Sequence, residues 1–315
     1  MTQKRIRIIL ALVAAGLLNA CGQVKSTITV VDEEGDPIHG AEVLFSYVNF
    51  KDEENIIVKT DENGVAQSSG SAELRVNLRV TKEGYYDTRH HKSEGTSLRK
   101  DTNHDRKVLL RKIKAPTPLF ARNIELRLPA LEEKIGFDLK VADFVNPFGK
   151  GLVSDFFFVA EKNYTSSEIY STRVNLLFEN RHAGIQLDQN AQRGGKFFES
   201  QFKSSRLGRL DGYEKEASFV ASKSAKDGYK GSTNPAAYLV RSRVVEDDGG
   251  EVISCHYSKL RNSIKVSRGA GLQASLPVIE FTYYFNPTPN DRNLEFDPEK
   301  NLFKNLPRNE QVREP

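Results

Sequence analysis

Between residues 74 and 80 the chain alternates without interruption. Leu74, Val76, Leu78 and Val80 fall on one side of an extended backbone, and Arg75, Asn77 and Arg79 on the other. Side chains of a strand point alternately to its two faces, so this run predicts an antiparallel strand with one face in a core and one in water. Ala41, Val43, Phe45 and Tyr47 show the same period of two. Gly35, Pro37, Gly40 and the Asn63-Gly64 pair punctuate the intervals, as turn residues do. Short strands between turns, with no helical period, predict a β-sandwich over residues 28–113. A proline-stiffened join, APTPLF, supplies a linker at 114–118. Strand patterns then resume in NIELRLPAL, GFDLKV, SDFFFVAE, YSTRVNLLFEN, AAYLVRSRVVE and EVISCHYSKL, the last two joined by the hairpin turn DDGG. A closing strand sets Val278, Ile279, Phe281, Tyr283 and Phe285 against Glu280, Thr282 and Tyr284. Residues 187–236 are polar and glycine-punctuated, and read as a long loop region with short strands around 197–202. The fold class is therefore all-β, with residues 119–315 forming a larger antiparallel β-sandwich or jelly-roll-like domain.

The first twenty residues break the pattern. Lys4, Arg5 and Arg7 precede an apolar run from Ile8 to Leu18. Crossing a bilayer takes about 20 apolar residues, whereas the h-region of an export signal has roughly 7–15. Leu18, three positions before Cys21, is too bulky for an ordinary A-x-A cleavage site. Leu18-Asn19-Ala20-Cys21 instead resembles the lipobox of bacterial lipoproteins. The resemblance implies cleavage before Cys21, a diacylglyceryl group on its sulfur and an acylated amine. Residues 1–20 are then a signal peptide and 21–27 a lipidated tether. One acyl chain binds marginally, at about 0.8 kcal/mol per buried methylene, while two or three hold a protein in place. The family's sorting rule retains proteins with Asp after the cysteine in the inner membrane. Gly22 implies the outer membrane in a cell that has two.

A second resemblance lies in the first sandwich. VVDEEGDPIHGAEV, TDENGVA and VTKEGYYD are similar to the carboxypeptidase-regulatory-like, or transthyretin-like, module. Asp32, Gly35, Pro37, Ile38, Gly40, Ala41 and Val43 match its opening signature; Thr60, Asp61 and Gly64 match its turn; Lys82, Gly84 and Tyr85 match its late motif. The resemblance implies a seven-stranded Ig-like sandwich and no catalysis, since such modules serve as spacers, adhesion units or accessory domains. The polar stretch RHHKSEGTSLRKDTNHDRK reads as a long loop plus the last strand. Within it Asp101, Asn103 and Asp105 imitate the opening of a calcium loop. Arg106 stands where the turn glycine belongs and Lys112 where the bidentate glutamate belongs, so a calcium site is not expected. His90 and His91 are neighbours that point to opposite faces of a strand, and His104 is read as part of a solvated loop.

Charge refines the picture. The chain has 46 Lys and Arg against 42 Asp and Glu. Removal of Lys4, Arg5 and Arg7 with the signal leaves 43 against 42, so the basic balance is no argument for nucleic acid. Residues 28–98 carry seven basic and fourteen acidic groups, while 99–114 carry seven basic and two acidic. That basic run reads as a solvated edge strand protected by lysines, with anionic lipid headgroups as the alternative partner. With Cys21 lipidated, Cys255 is a lone thiol, and no basic cluster or helix start activates it.

Catalytic motifs are scarce. The chain has no H-E-x-x-H, P-loop or G-x-S-x-G. GAGLQA at 269–274 mimics a dinucleotide fingerprint, but Pro277 blocks the helix that would follow. The pairs Ser97–Lys100 and Ser200–Lys203 lack the partner motifs of serine acyl-enzymes. Asp143, Asp155, Glu161, Asp291, Glu295 and Asp297 flank aromatic strands, and a glycosidase needs only two carboxylates about 5–10 Å apart. The run YYFNPTPNDRNLEFDPEKNLF fixes its backbone with prolines and crowds Asn290, Asp291 and Arg292 into one turn. It faintly resembles the closing segment of uncharacterised secreted bacterial proteins, for which no activity carries over. A rigid wrap is one reading of that run; a ligand-binding corner made of Tyr283, Asn290, Asp291 and Arg292 is the other. The sequence thus points to a lipid-anchored envelope protein with a spacer sandwich and a binding or structural β domain. Its expected partners are the membrane and a polysaccharide or envelope protein, with no cofactor beyond the lipid at Cys21. Two alternatives are a surface polysaccharide hydrolase with a carboxylate pair, and a subunit of an envelope assembly that docks through a strand edge.

Overall fold

The computed structural model of the protein describes residues 23–88, 103–191, 197–232, 237–269 and 276–315. Residues 1–20, Cys21, His90, His91, Ser97, Lys100, Asp101 and most of GAGLQA lie outside them. Eight strands come first: β1 (Gln23–Val31), β2 (Glu42–Val48), β3 (Glu53–Lys59), β4 (Val65–Ser71), β5 (Arg75–Thr81), β6 (Tyr85–Tyr86), β7 (Asn103–Leu109) and β8 (Arg111–Lys112). Next come β9 (Phe120–Arg127), β10 (Ile135–Asp138), β11 (Asp143–Phe144), β12 (Phe156–Ser166), β13 (Ile169–Leu177), β14 (Gly184–Leu187) and β15 (Phe197–Glu199). The last are β16 (Glu216–Ser224), β17 (Gly228–Gly231), β18 (Ala237–Glu246), β19 (Val252–Ser267) and β20 (Val278–Phe285). The described residues hold no α-helix; a single 3-10 turn spans Pro298–Lys300. No described helix is long and apolar enough to cross a membrane. The chain is all-β.

Two units form. The first takes the described residues up to 113 together with 197–202, and the second takes the rest. In the first unit a sheet of order β15-β7-β1-β4 faces a sheet of order β3-β2-β5, with β6 and β8 as a short ribbon. Ala41, Val43, Phe45 and Tyr47 are each fully buried, as their alternation requires. Val76, Leu78 and Val80 are buried too, whereas Leu74 falls just before β5 and is 37% exposed. The turn residues are held by short-range bonds. Asp32 Oδ1 accepts the amides of Glu34 and Asp36. Thr60 Oγ1 accepts the Ala41 amide and donates to the Ile38 carbonyl. Gly64 has φ +72°, and a β-carbon there would come 2.4 Å from the Val30 carbonyl oxygen, so no other residue fits that turn.

Four expectations change in this unit. Residues 23–27, read as a tether, are the first part of β1, and Val24 is 2% exposed. The basic run does not give an edge strand. β7 lies between β1 and β15 and is parallel to both. The seventh strand of the sandwich, β15, comes from the 187–236 region rather than from residues before 114. The same segment brings Phe202, fully buried, into a stack on Tyr86 at 5.2 Å and under the Arg111 guanidinium at 4.6 Å. His104, read as solvated, sits in β7 at 4% exposure.

The second unit is an antiparallel sandwich of a six-stranded sheet, β11-β10-β12-β13-β16-β17, and a five-stranded one, β14-β18-β19-β20-β9. Phe137, Phe156, Phe158 and Phe219 of the first sheet meet Ile124, Leu260, Ile279, Phe281 and Tyr283 of the second in one core. Phe137 alone has ring neighbours in Phe144, Phe156, Phe158 and Phe281 at 5.7–5.9 Å. Each such buried ring contributes about 1.5–3 kcal/mol. The β16–β17 hairpin lies inside the region read as loop. Its alternation is weak because β16 turns only Phe219 and Ala221 fully inward.

The far face of the five-stranded sheet is covered as well. Leu119, Ala121, Tyr284, Phe296 and Val312 form a second cluster, and Leu239, Cys255, Tyr257 and Leu294 a third. Tyr284, expected on the polar face of β20, is therefore fully buried. The join at 114–118 is strapped down within this unit: Glu295 accepts the amides of Lys114 and Ala115, and the Thr117 amide donates to the Glu295 carbonyl.

Candidate functional site

The most concentrated polar chemistry in the second unit lies at one end of its sandwich, where β10, the start of β12 and the middle of β18 meet. Asp138 ends β10 and Asp155 immediately precedes β12; they are 2% and 4% exposed. Arg243 bridges them. Its Nε donates to Asp155 Oδ1 at 2.9 Å, and its Nη2 donates to Asp155 Oδ2 at 2.8 Å and Asp138 Oδ1 at 2.7 Å. Ser242 Oγ donates to the same Asp155 Oδ1 at 2.6 Å. Consecutive residues of a regular strand point to opposite faces. Here they reach one carboxylate because the β18–β19 register shifts between Ser242 and Val245 and Arg243 takes φ +50°. A bulge re-aims a side chain in this way.

Backbone amides complete the cluster. Asp138 Oδ1 accepts Lys140 and Val141, and its Oδ2 accepts Leu152 and Val153. The Leu139 amide donates to Asp155 Oδ2 at 2.8 Å. Burial by itself raises the pKa of Asp138. The amides of Leu152 and Val153, the Arg243 charge and the Val141 amide outweigh it and hold the carboxyl below its ordinary 3.8. For Arg243, burial opposes the charge, but the two carboxylates raise its pKa above the ordinary value. Phe285 carries the guanidinium at 4.8 Å and the ring of His256 at 5.5 Å. Burial first, then the Arg243 charge, push the His256 pKa below 6.5.

This arrangement decides what the carboxylates can do. Two carboxylates sharing one guanidinium nitrogen stand about 5 Å apart, the spacing of a retaining glycosidase pair. A general acid must hold a proton near neutral pH, which calls for a raised pKa. Asp138 is shifted the other way, and the gap between the carboxylates is filled by Arg243. Asp138 and Arg243 are held in their charged forms, and the cluster fixes the loops at 139–141 and 152–155.

The remaining carboxylates named from the sequence stand apart from this pair. Asp143 binds the amides of Phe144 and Lys150. Glu161 is exposed on β12, opposite Arg173. Glu295, 1% exposed, straps the join and faces Arg206 at 3.6 Å. Asp297 accepts the Glu299 amide at the start of the 3-10 turn. Sequence reading named Asp155 but neither Asp138 nor Arg243. The only signal for them is a charged residue inside an apolar run, in GFDLK and LVRSRVV.

The residues of the proposed ligand corner are placed as follows. Tyr283 is fully buried and its hydroxyl donates to the Leu139 carbonyl at 2.7 Å; burial pushes its pKa well up. Asn290 pairs with β19: its Oδ1 accepts the Cys255 amide, its own amide donates to the Cys255 carbonyl, and its Nδ2 donates to the Ile253 carbonyl. Asp291 accepts the Asn293 amide and Asn286 Nδ2. Arg292 Nε donates to the Gly208 carbonyl at 2.6 Å. Tyr283 belongs to the core, while the other three hold the wrap over the sheet. Cys255 is a free, buried thiol, and Ser200 donates to the Tyr86 carbonyl.

Among the described residues no three His, Cys, Asp or Glu side chains gather as a metal site. Two surface cavities of about 390 Å³ each open near β17. One is lined by Glu125, Tyr229, Ser263, Lys265 and Glu280, the other by Asn163, Tyr170, Lys223 and Asp227. Neither contains the Asp138–Asp155 pair.

No family model matches the chain, and no curated protein is similar to it. Among solved structures, that of a Streptococcal ancillary pilin aligns with a TM-score of 0.20 and 12% identity, over 80% of this chain and 61% of the pilin chain. A superposition that loose carries no argument about this chain.

Proposed function

We propose that the protein is a lipid-anchored component of the cell envelope, which displays two β-sandwich units in a binding or structural role. The observation that carries the reading is the junction between motif and fold. The Leu18–Cys21 lipobox ends two residues before β1 begins at Gln23. Cleavage before Cys21 removes no residue of any described strand and leaves one residue, Gly22, between the acylated cysteine and the first sheet. Arg243, which fills the gap between Asp138 and Asp155, favours this role over that of a polysaccharide hydrolase. Gly22 directs the anchored protein to the outer membrane in a two-membrane cell, with a polysaccharide or an envelope protein as its partner.

The test is C21A. The wild-type chain takes up labelled palmitate and sediments with membranes; the variant takes up no label and is released. A variant that still fractionates with membranes through a retained N-terminus overturns the reading.

A strand edge favours a second reading, a subunit of an envelope assembly. β3 is at the edge of its sheet, and no backbone bond among the described residues reaches its outer side. Ile57 on it is 65% exposed. An added strand would pair there. A photo-cross-linker at Ile57 in intact cells then gives discrete larger species that a cross-linker at Glu161 does not; equal patterns remove this reading.

A further inference from the structure

The inference rests on the lipid anchor and concerns which surface of the first unit the anchor holds against the bilayer. Register fixes the geometry. At the start of β1, Gln23 pairs with Ser71 and Val24 with Gly70 of β4. Gly70 lies against the ring of Tyr47, so close that a β-carbon on it would be 2.5 Å from Tyr47 Cδ2. Tyr47 is the penultimate residue of β2. The turn at 49–52 therefore stands at the same pole of the sandwich as the point where the chain runs back to Cys21. Two residues span at most about 7 Å, so the acyl chains enter the membrane beside this pole.

That pole is built to project an apolar tip. The β2–β3 turn and the β4–β5 connection are stitched together. The Glu73 amide donates to Asn49 Oδ1 at 3.0 Å, the Phe50 amide to Glu73 Oε2 at 3.1 Å, and the Leu74 amide to the Val48 carbonyl at 3.0 Å. Within the turn, the Asn49 amide and Nδ2 bind the Asp52 carbonyl and carboxylate. Of the acidic groups near the tip, Asp52 and Glu73 are thus bonded to the loop itself, while Glu53 and Glu54 at the start of β3 are exposed beside it. Phe50 is left 74% exposed at the apex, with the exposed Lys51 beside it and Leu74 behind. A lone exposed aromatic means little by itself. Next to a covalent lipid it lies within reach of the interface, where an apolar side chain enters the acyl boundary and a lysine stays at the headgroups.

We propose that Phe50 inserts into the membrane interface beside the acyl chains, so that the first unit is seated on the bilayer by its 23/50/74 pole rather than swinging from a tether. The stitching of the turn makes this seat part of the fold, and the single residue between Cys21 and β1 keeps the acyl chains near it.

The chain contains no tryptophan, so one introduced indole reports without background. The full-length, lipidated Phe50→Trp protein is reconstituted into phosphatidylethanolamine–phosphatidylglycerol vesicles with and without bromine-labelled acyl chains. Glu62→Trp, in the exposed turn at the opposite pole, is the reference. Insertion gives Phe50→Trp a blue-shifted emission that loses intensity with brominated lipid, from a depth of about 5–10 Å; Glu62→Trp keeps a water-exposed spectrum. Palmitate labelling is read on the same samples. If label is present and both indoles stay in water, the seating is wrong while the anchor stands. If no label is present and neither variant is held by vesicles, the anchor reading itself has failed and takes the seating with it.

Discussion

The hydroxyl of Tyr283, in the middle of β20, donates to the carbonyl oxygen of Leu139 at 2.7 Å, joining the closing strand to the loop that follows β10. Both ends of this bond are buried, and the next residue along the loop places its amide on Asp138. Tyr283→Phe removes the donor without changing the ring packing and strands a buried carbonyl, which costs about 1–3 kcal/mol. Urea unfolding of the second unit followed by near-UV circular dichroism checks it. An unchanged midpoint means that water or another donor serves Leu139.

Arg243 is the countercharge of two buried carboxylates at once, so its loss leaves both with only neutral donors. Breaking a buried pair by removing one partner costs about 3–5 kcal/mol. Arg243→Met is therefore expected to lower the unfolding midpoint of the second unit far more than Tyr283→Phe. Arg243→Lys recovers only part of the loss, because an ammonium cannot hold Asp155 with two nitrogens and reach Asp138 as well. Equal midpoints for the Lys variant and the wild type would show that charge alone, without the fork, suffices.

Acid sensitivity follows from the same cluster. The folded pKa of Asp138 lies below its ordinary 3.8. The unfolded state therefore binds more protons between the two values, and the contribution of Asp138 to stability is complete above the ordinary value and fades as pH falls through the folded one. Asp138→Asn cannot ionise, so the stability gap between it and the wild type is largest near neutral pH and narrows as the solution is acidified below about pH 4. Unfolding midpoints of both proteins across that range test the sign. A gap that widens in acid contradicts it.

How much of this was legible in the chain depends on what each pattern reports. Alternation reports one face of a sheet, and Ala41 to Tyr47 and Val76 to Val80 lie where it puts them. It cannot report a second cover. Tyr284 follows the polar phase of β20, yet it is buried because the wrap brings Phe296 and Val312 onto the far face. Nor does it report strand exchange along the chain: β15 pairs with β7 across some ninety residues of sequence, and nothing local marks that partner. The carboxylate cluster was half visible. Asp155 is flagged by its aromatic neighbours, but its partners depend on a positive φ at Arg243 that breaks the strand period. Asn290, Asp291 and Arg292 were legible as turn chemistry, and the bonds they make are of that kind.

The C-terminal wrap also guards an edge. β9 ends its sheet, and along its outer side Asn301 Nδ2 donates to the Ala121 carbonyl while Asn301 Oδ1 accepts the Ala121 amide. Two residues on, the Asn123 amide donates to the Glu310 carbonyl. The Arg122 guanidinium pairs with Glu310 as well. These contacts occupy the backbone groups that an added strand would use. The wrap also fills the far face, where the Tyr284 hydroxyl donates to the Glu314 carbonyl and burial pushes its pKa up to about 12. Truncation after Lys300 strips the edge and the cover together, and exposed long edges pair with other chains. The truncated protein, purified without its signal, is expected to elute from size exclusion as dimers and larger species at concentrations where the full chain is monodisperse. Asn301→Ala separates the two effects: it leaves the cover in place, loses two bonds to Ala121 and costs about 1–3 kcal/mol without self-association. If the truncated chain stays as monodisperse as the full one, the wrap is a cover for Tyr284 and Phe296 only, and the edge of β9 is protected by its own charges.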